Sequence, residues 1–384
     1  MNKCGLREFV TFLFVCLFIF LFNNIGDYYT PVVQFANISY IQFTNIQLST
    51  NNKMKEARNV TNDPPKLYVS MGTDTNHVYL FPLIATIKNW KSMGVDTILC
   101  FAEPRHKFLE NSATRLIFET IMDQPGIQYI FLDTKLAPKH TIAQTCRMYM
   151  PASPYIKMYD QDIMITSDTD FWIFHLHEHL PLPKQKIRAY NGDCCGKIYK
   201  PKTPKKKYQM FSMITISMNV KLWREILGVP RDWFTDADVL ARRLYEEVDD
   251  VGYILNGTGK PNISPSWYTD QIIVSDRILA WRDRDNNSKY ISTSPKVKNS
   301  QRIDRAWWKK SFKKVNLKDH HDAHVFHPLG EPKNWGKVQP LLKLMFNSTT
   351  VEWLNEIHSK YAKLAFPNTP TITTARSTKS RIRA

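Results

Sequence analysis

Between Lys66 and Ser167 the chain alternates short apolar runs with stretches of helical spacing, and this narrows its fold more than any other feature. LYVSM (Leu67 to Met71), VDTILCF (Val95 to Phe101), IQYIFL (Ile127 to Leu132) and DIMITS (Asp162 to Ser167) have the length and apolarity of buried strands. Val78 to Trp90, Phe108 to Met122 and His140 to Tyr149 carry apolar residues at helical intervals. Strands and helices in this rhythm predict βαβ units around a mostly parallel sheet. Ligands of such sheets bind beyond the carboxyl ends of the strands, so chemistry is expected after Met71, Phe101, Leu132 and Ser167.

The later chain is less regular. IRAYNGD (Ile187 to Asp193) and MFSMITISM (Met210 to Met218) are predicted strands; Asn219 to Leu227, Asp236 to Val248, Gln271 to Ala280, Gln339 to Phe346 and Thr350 to Leu364 are predicted helices. Between the two strands, KIYKPKTPKKKY holds six lysines in twelve residues. It reads as a solvated loop, with contact to an acidic acceptor as the alternative.

The fourth strand runs into Asp168-Thr169-Asp170. Two carboxylates past a strand end offer the oxygen ligands that Mn²⁺ or Mg²⁺ prefers when it also binds phosphate. A surface turn produces the same triplet, so position after a βαβ series is what gives it weight. Far downstream, HVFHPLGEPKNW supplies His327, Gly330 and Lys333. An imidazole can complete a metal shell, a lysine can meet a phosphate as a point charge, and a glycine admits close backbone approach. Alone, this segment reads first as a Pro/Gly-rich surface loop around a packed Trp335. His175, His177 and His179 alternate after the Asp pair and are expected in a polar loop, not around a metal.

The strand order, the DxD and the late His-x-x-Gly-x-x-Lys-x-Trp together resemble the GT-A fold, and the glycogenin-like retaining glycosyltransferases most of all. The likeness spans roughly Lys66 to Phe366. It implies a nucleotide-diphosphate sugar donor, Mn²⁺ held by Asp168, Asp170 and His327, and Lys333 on the diphosphate. That family usually has Pro where Asn334 stands. It also implies that Asp270 and Gln271, in SWYTDQIIVSDRI, lie near the transferring sugar, although Thr269 and Asp270 also suit a helix N-terminus. Thr73 and Asp74 fall where the nucleoside is held, and Arg147 where an arginine meets the diphosphate; a turn and a surface pair are their plainer alternatives. The family's Asn-x-Gly strand has no counterpart in MFSMITISM, which leaves the stereochemical outcome open.

Phe9 to Gly26 contains no charged residue. As a helix its eighteen residues would span roughly 27 Å, close to an endoplasmic reticulum bilayer. Lys3 and Arg7 precede it, so the positive-inside rule predicts a cytosolic tail (1–8), an anchor (9–26), a polar stem (27–64), a lumenal catalytic domain (65–366) and a basic tail (367–384). A cleaved signal peptide is the alternative, but Phe22-Asn23-Asn24 offers no small-x-small site. Six N-x-S/T sequons, at Asn37, Asn59, Asn256, Asn262, Asn286 and Asn347, lie on the predicted lumenal side. The net charge of +17 calls for an anionic partner. In the lumen of the Golgi or endoplasmic reticulum that points away from nucleic acid and leaves an acidic membrane, a phosphorylated substrate or an acidic glycan or glycoprotein acceptor. Cys100, Cys146, Cys194 and Cys195 are free to form disulfides there, and spacing does not select a pairing.

Two other classes remain. One is a binding protein of the same fold without catalysis. The other is a metal-dependent hydrolase, which would want a larger cluster of ligating residues than the spacing displays.

Overall fold

The computed structural model describes residues 64–192, 195, 197–200, 203–247, 268–284, 286–294, 298, 301–308 and 312–367. The predicted cytosolic tail, anchor and stem up to residue 63, the sequons at Asn37, Asn59, Asn256 and Asn262, Cys194, and the tail from 368 lie outside these residues. Among those described, no helix is long and apolar enough to cross a membrane. The chain divides into two units, Met1–Pro64 and Pro65–Ala384, and the sheets, helices and cavity described below belong to the second.

The expected strands form the centre of a seven-stranded sheet. β1 (Leu67–Thr73), β2 (Asp96–Phe101), β3 (Ile127–Phe131) and β4 (Ile163–Thr166) pair in parallel in the order β3-β2-β1-β4. β9 (Ile216–Asn219) runs antiparallel beside β4, followed by β6 (Ile187–Ala189) and β10 (Ile291–Thr293). A second, three-stranded sheet holds β5 (Phe171–Ile173), β11 (Arg302–Asp304) and β12 (Asp322–His324). Asp168 to Asp170 is thus the link from the large sheet to the small one.

The central strands carry apolar residues on both faces because both faces are covered. Tyr68, Ile98, Cys100 and Met164 point into one core, with residues of α5 (Lys139–Tyr149), α6 (Val220–Leu227), α7 (Ala237–Glu247) and α8 (Thr269–Arg284). Their neighbours Val69, Leu99, Phe101 and Ile165 point into the other, with α2 (Leu83–Ser92), α4 (Ser112–Met122), α9 (Pro332–Met345) and α10 (Ser348–Ala365). Gly72 is where α5 comes closest: a Cβ there would lie 1.8 Å from the Ala143 carbonyl oxygen. The Cys100–Cys146 disulfide also ties β2 to α5.

Several boundaries differ from the expected ones, for local reasons. The helix predicted over Val78 to Trp90 is two, α1 (His77–Leu80) and α2, because Pro82 has no N–H to continue the first. Phe108 to Met122 breaks between α3 (Arg105–Glu110) and α4. There Asn111 is extended and its Oδ1 accepts from the Ala113 and Thr114 amides, capping a new start. The strand predicted from Met210 begins only at Ile216. Side-chain hydroxyls draw off its earlier amides: Phe211 N donates to Ser275 Oγ and Ile214 N to Ser212 Oγ. The lysine-rich segment is no loop but an antiparallel pair, β7 (Lys197–Lys200) with β8 (Thr203–Gln209). Pro332 starts α9 earlier than predicted, since a first-turn proline loses no helical bond.

α10 carries His358 beneath the late motif. Its ring stacks on Trp335 at 4.6 Å and its Nε2–H donates to the Gly330 carbonyl at 3.0 Å. Burial moves its pKa down to about 4. The unfolded chain therefore takes up this proton first, and stability present above pH 6.5 is lost as pH falls towards 4. We expect His358 to contribute up to about 3 kcal/mol of acid destabilisation across that window. His358→Gln, which keeps a donor, should flatten this part of the profile in urea titrations from about pH 7 to about pH 4.

Candidate active site

β4 ends at Thr166, and the main chain continues the ladder one step further, with Ser167 N donating to Ser70 O at 3.0 Å. β5 then begins at Phe171 and is held from both sides. On one side Asn89 of α2 bonds both the N–H and the C=O of Ile173, and Thr86 Oγ donates to Thr169 O. On the other side β12 pairs antiparallel, with His324 opposite Phe171, and Val325 N donates to Asp170 O at 3.1 Å. The late segment is thereby fastened to the Asp pair by main-chain bonds.

This pairing brings His324 and His327 to the Asp170 carboxylate, which is 3% exposed. His327 Nε2 lies 2.7 Å from Oδ2 and His324 Nε2 lies 3.1 Å from the same oxygen. Arg305 Nη1 also meets it, at 2.8 Å. One ligand atom from each of Asp170, His324 and His327 falls within 4.8 Å of the others, close enough for one metal ion. Burial alone would raise the Asp170 carboxyl, but His324 and His327 hold it well below the usual range. Burial opposes charge on His324 too, yet Asp170 and then Asp304 lift its pKa to about 9.

The two carboxylates of the DxD therefore have different surroundings. Asp168 faces the other way from Asp170, accepting from Arg147 Nη1 at 2.5 Å. Arg147 Nη2 bonds Asp270 at 2.5 Å, and Nη1 also donates to Ser167 O. Burial works against the guanidinium charge, but the fields of both carboxylates raise its pKa above the ordinary value. Arg147 reaches this place because α5 lies close on β1 at Gly72; Ser70 Oγ donates to its carbonyl.

These groups share one cavity of about 770 Å³. Thr73 and Asp74 line it at the end of β1, Asp168 and Asp170 after β4, and Asp270 and Gln271 at the start of α8. The Gln271 Oε1 is buried without a hydrogen-bond partner, and so is His327 Nδ1. Asp74 accepts from the Asn76 amide, and burial raises its pKa.

Lys333 and Gly330 stand apart from this group. Neither lines the cavity. Lys333 is exposed on the first turn of α9. Gly330 is small for the sake of packing: a Cβ would come within 2.4 Å of the Tyr361 ring. His324 lies outside the Gly-Lys spacing, so the motif does not select it; its only signal in the sequence is its place beside His327. Arg302 and Arg305, which also line the cavity, have none. Of the three alternating histidines expected in a polar loop, His175 and His177 have ring centroids 5.6 Å apart at a short helical turn. His179, however, is fully buried against Tyr190 and bonded to Thr215, so it belongs to the core.

Arg147 carries a stability prediction. Asp270 is 2% exposed, and Arg147→Met leaves it buried without its cation. We expect a loss of about 3–5 kcal/mol in urea unfolding. Adding Asp270→Asn should restore much of it, since the stranded charge is then gone.

No protein-family model matches the chain, and no curated protein matches it. Among solved structures it is similar to the galactosyltransferase LgtC in complex with donor and acceptor sugar analogs. That match has 12% identity and a TM-score of 0.38 over 77% of this chain and 96% of that one. It is also similar to the bifunctional glycosyltransferase WbbM, at 11% identity and a TM-score of 0.39 over 78% of this chain and 52% of that one. The glycosyltransferase GlyE of Streptococcus pneumoniae TIGR4 is similar at 14% identity and a TM-score of 0.35, over 77% of this chain and 64% of that one.

Proposed function

We propose that this chain is a divalent-metal-dependent glycosyltransferase that moves a sugar from a nucleoside-diphosphate donor to a glycan or glycoprotein. The convergence of Asp170, His324 and His327 at the carboxyl edge of the sheet carries this reading. The cavity is large enough for a nucleotide sugar. One carboxylate and two imidazoles suit Mn²⁺ better than Mg²⁺, which favours an all-oxygen shell. The unpartnered His327 Nδ1 leaves that ring uncommitted on its second nitrogen.

Asp170, His324 and His327 would hold the ion. Bound there, it would neutralise the charge that grows on the departing diphosphate. The remaining work falls to side chains of the cavity. Thr73 and Asp74 meet the nucleoside end. Arg147 fixes Asp168 and Asp270 in one arrangement, so neither carboxylate must reorganise as charge moves. Gln271 Oε1, buried and unpaired, is an acceptor for a sugar hydroxyl or for positive charge developing at the anomeric carbon. Asp270 orients it through the Gln271 amide, which donates to Asp270 Oδ1 at 2.7 Å.

The apolar stretch Phe9 to Gly26, the basic residues before it and the sequons beyond it support a type II placement in a Golgi or endoplasmic reticulum membrane. The excess positive charge supports an acidic acceptor.

With Mn²⁺ and a panel of nucleotide sugars, the full chain should release nucleoside diphosphate from one donor. Asp170→Asn should slow this by about 10²–10³. His324→Ala and His327→Ala should each raise the Mn²⁺ needed by about tenfold or more, as the loss of even an indirect ligand partner costs about 10–100-fold. Undiminished turnover in Asp170→Asn at low Mn²⁺ would remove the metal from the mechanism. Expressed in secretory cells, the protein should shift in gel mobility on treatment with an N-glycosidase; an unchanged band would refute the lumenal placement.

A further inference from the structure

Three nitrogen donors converge on one oxygen of Asp170: His327 Nε2 at 2.7 Å, Arg305 Nη1 at 2.8 Å and His324 Nε2 at 3.1 Å. A carboxylate oxygen offers only about two lone-pair sites. A metal ion taken up by this group must therefore displace something. A histidine ring nitrogen is a donor in one tautomer and a lone-pair ligand in the other, so both histidines can serve as ligands. Arg305 cannot: a guanidinium stays charged and has no lone pair to give. Its charge would stand beside a divalent ion and repel it.

Arg305 is also the group best able to move. It begins the short turn Arg305–Trp307 that follows β11, its side chain is 36% exposed, and its other bond is a long one, 3.4 Å to Val325 O. Arg302 lines the same cavity but is fixed, with two bonds to the buried Asp322 and a side chain only 10% exposed. We propose that Arg305 is a displaceable counterion. It neutralises Asp170 while no divalent ion is present. When the ion enters, it turns from Asp170 into the cavity and pairs with the diphosphate of the donor. An arginine fork matches phosphate oxygens two at a time, so the turned side chain exchanges one anionic partner for another.

The inference rests on the metal and donor reading above, and it assigns the phosphate contact to a residue outside both sequence motifs. It predicts effects of opposite sign on two ligands. The test uses the full-length chain and its Arg305→Gln and Arg305→Lys variants. Each is titrated with Mn²⁺ alone, followed by the electron paramagnetic resonance signal of the free ion. Each is then titrated with UDP and with GDP at saturating Mn²⁺. Arg305→Gln should bind Mn²⁺ about tenfold more tightly, because a repelling charge is gone, and nucleoside diphosphate about tenfold more weakly. Arg305→Lys should keep near-wild-type Mn²⁺ affinity and lose part of the nucleotide affinity. If Arg305→Gln moves both affinities in the same direction, or moves neither, the counterion role is wrong while the donor site stands. If the wild type takes neither Mn²⁺ nor a nucleoside diphosphate, the donor site and the inference fall together.

Discussion

The antiparallel pairing of β5 with β12 is the constraint on which the site depends. It sets Phe171 opposite His324 and closes Val325 N onto Asp170 O. Main-chain bonds of this kind have a fixed register, and a slip by one residue would send His324 to the opposite face. The pairing therefore does more than bring a late segment near an early one. It decides which histidine nitrogens face Asp170. The side chains of Thr86 and Asn89 perform the matching task on the far side of β5, where none of the described strands pairs with it.

Charge within the cavity follows a second constraint, that a buried ion must have its partner at hand. The arrangement is reciprocal. One carboxylate, Asp170, is surrounded by nitrogen donors; one guanidinium, Arg147, is flanked by carboxylates. The two members of the DxD thus have different partners: Asp170 the two histidines and Arg305, Asp168 the Arg147 guanidinium. Arg147 depends on a glycine for its position. Any side chain at Gly72 would drive α5 off β1 and withdraw the guanidinium from between Asp168 and Asp270.

Local chemistry explains where periodicity and structure part company. Pro82 and Asn111 each split an apolar period that looks continuous, one by lacking an N–H and the other by offering a side-chain acceptor. Pro332 does the reverse: in the sequence it argues for a loop, but at the first turn it costs a helix nothing. Lys333 is consequently a helix residue at the surface, and Gly330 answers to the ring of Tyr361. The lysine-rich segment shows that charge density alone does not exclude a strand, since β7 and β8 pair through the main chain.

The parallel centre of the sheet, and the Asp pair at its edge, are legible in the order of residues. Both depend on short-range patterns: apolar runs of strand length, helical intervals between them, and two carboxylates after the fourth run. Residue type and order nominate Asp168 and Asp170, the family resemblance adds Asp270, Gln271 and His327, and all five line one cavity. Folding in three dimensions settles the rest. Asp170 stands with His324 as well as His327, Asp168 answers to Arg147, Cys100 pairs with Cys146, and Arg302 and Arg305 belong to the site. Each of these is a contact between segments that no periodicity links. Strand pairing and helix packing set such distances, and a one-dimensional pattern carries no record of which distant side chains will share a charge.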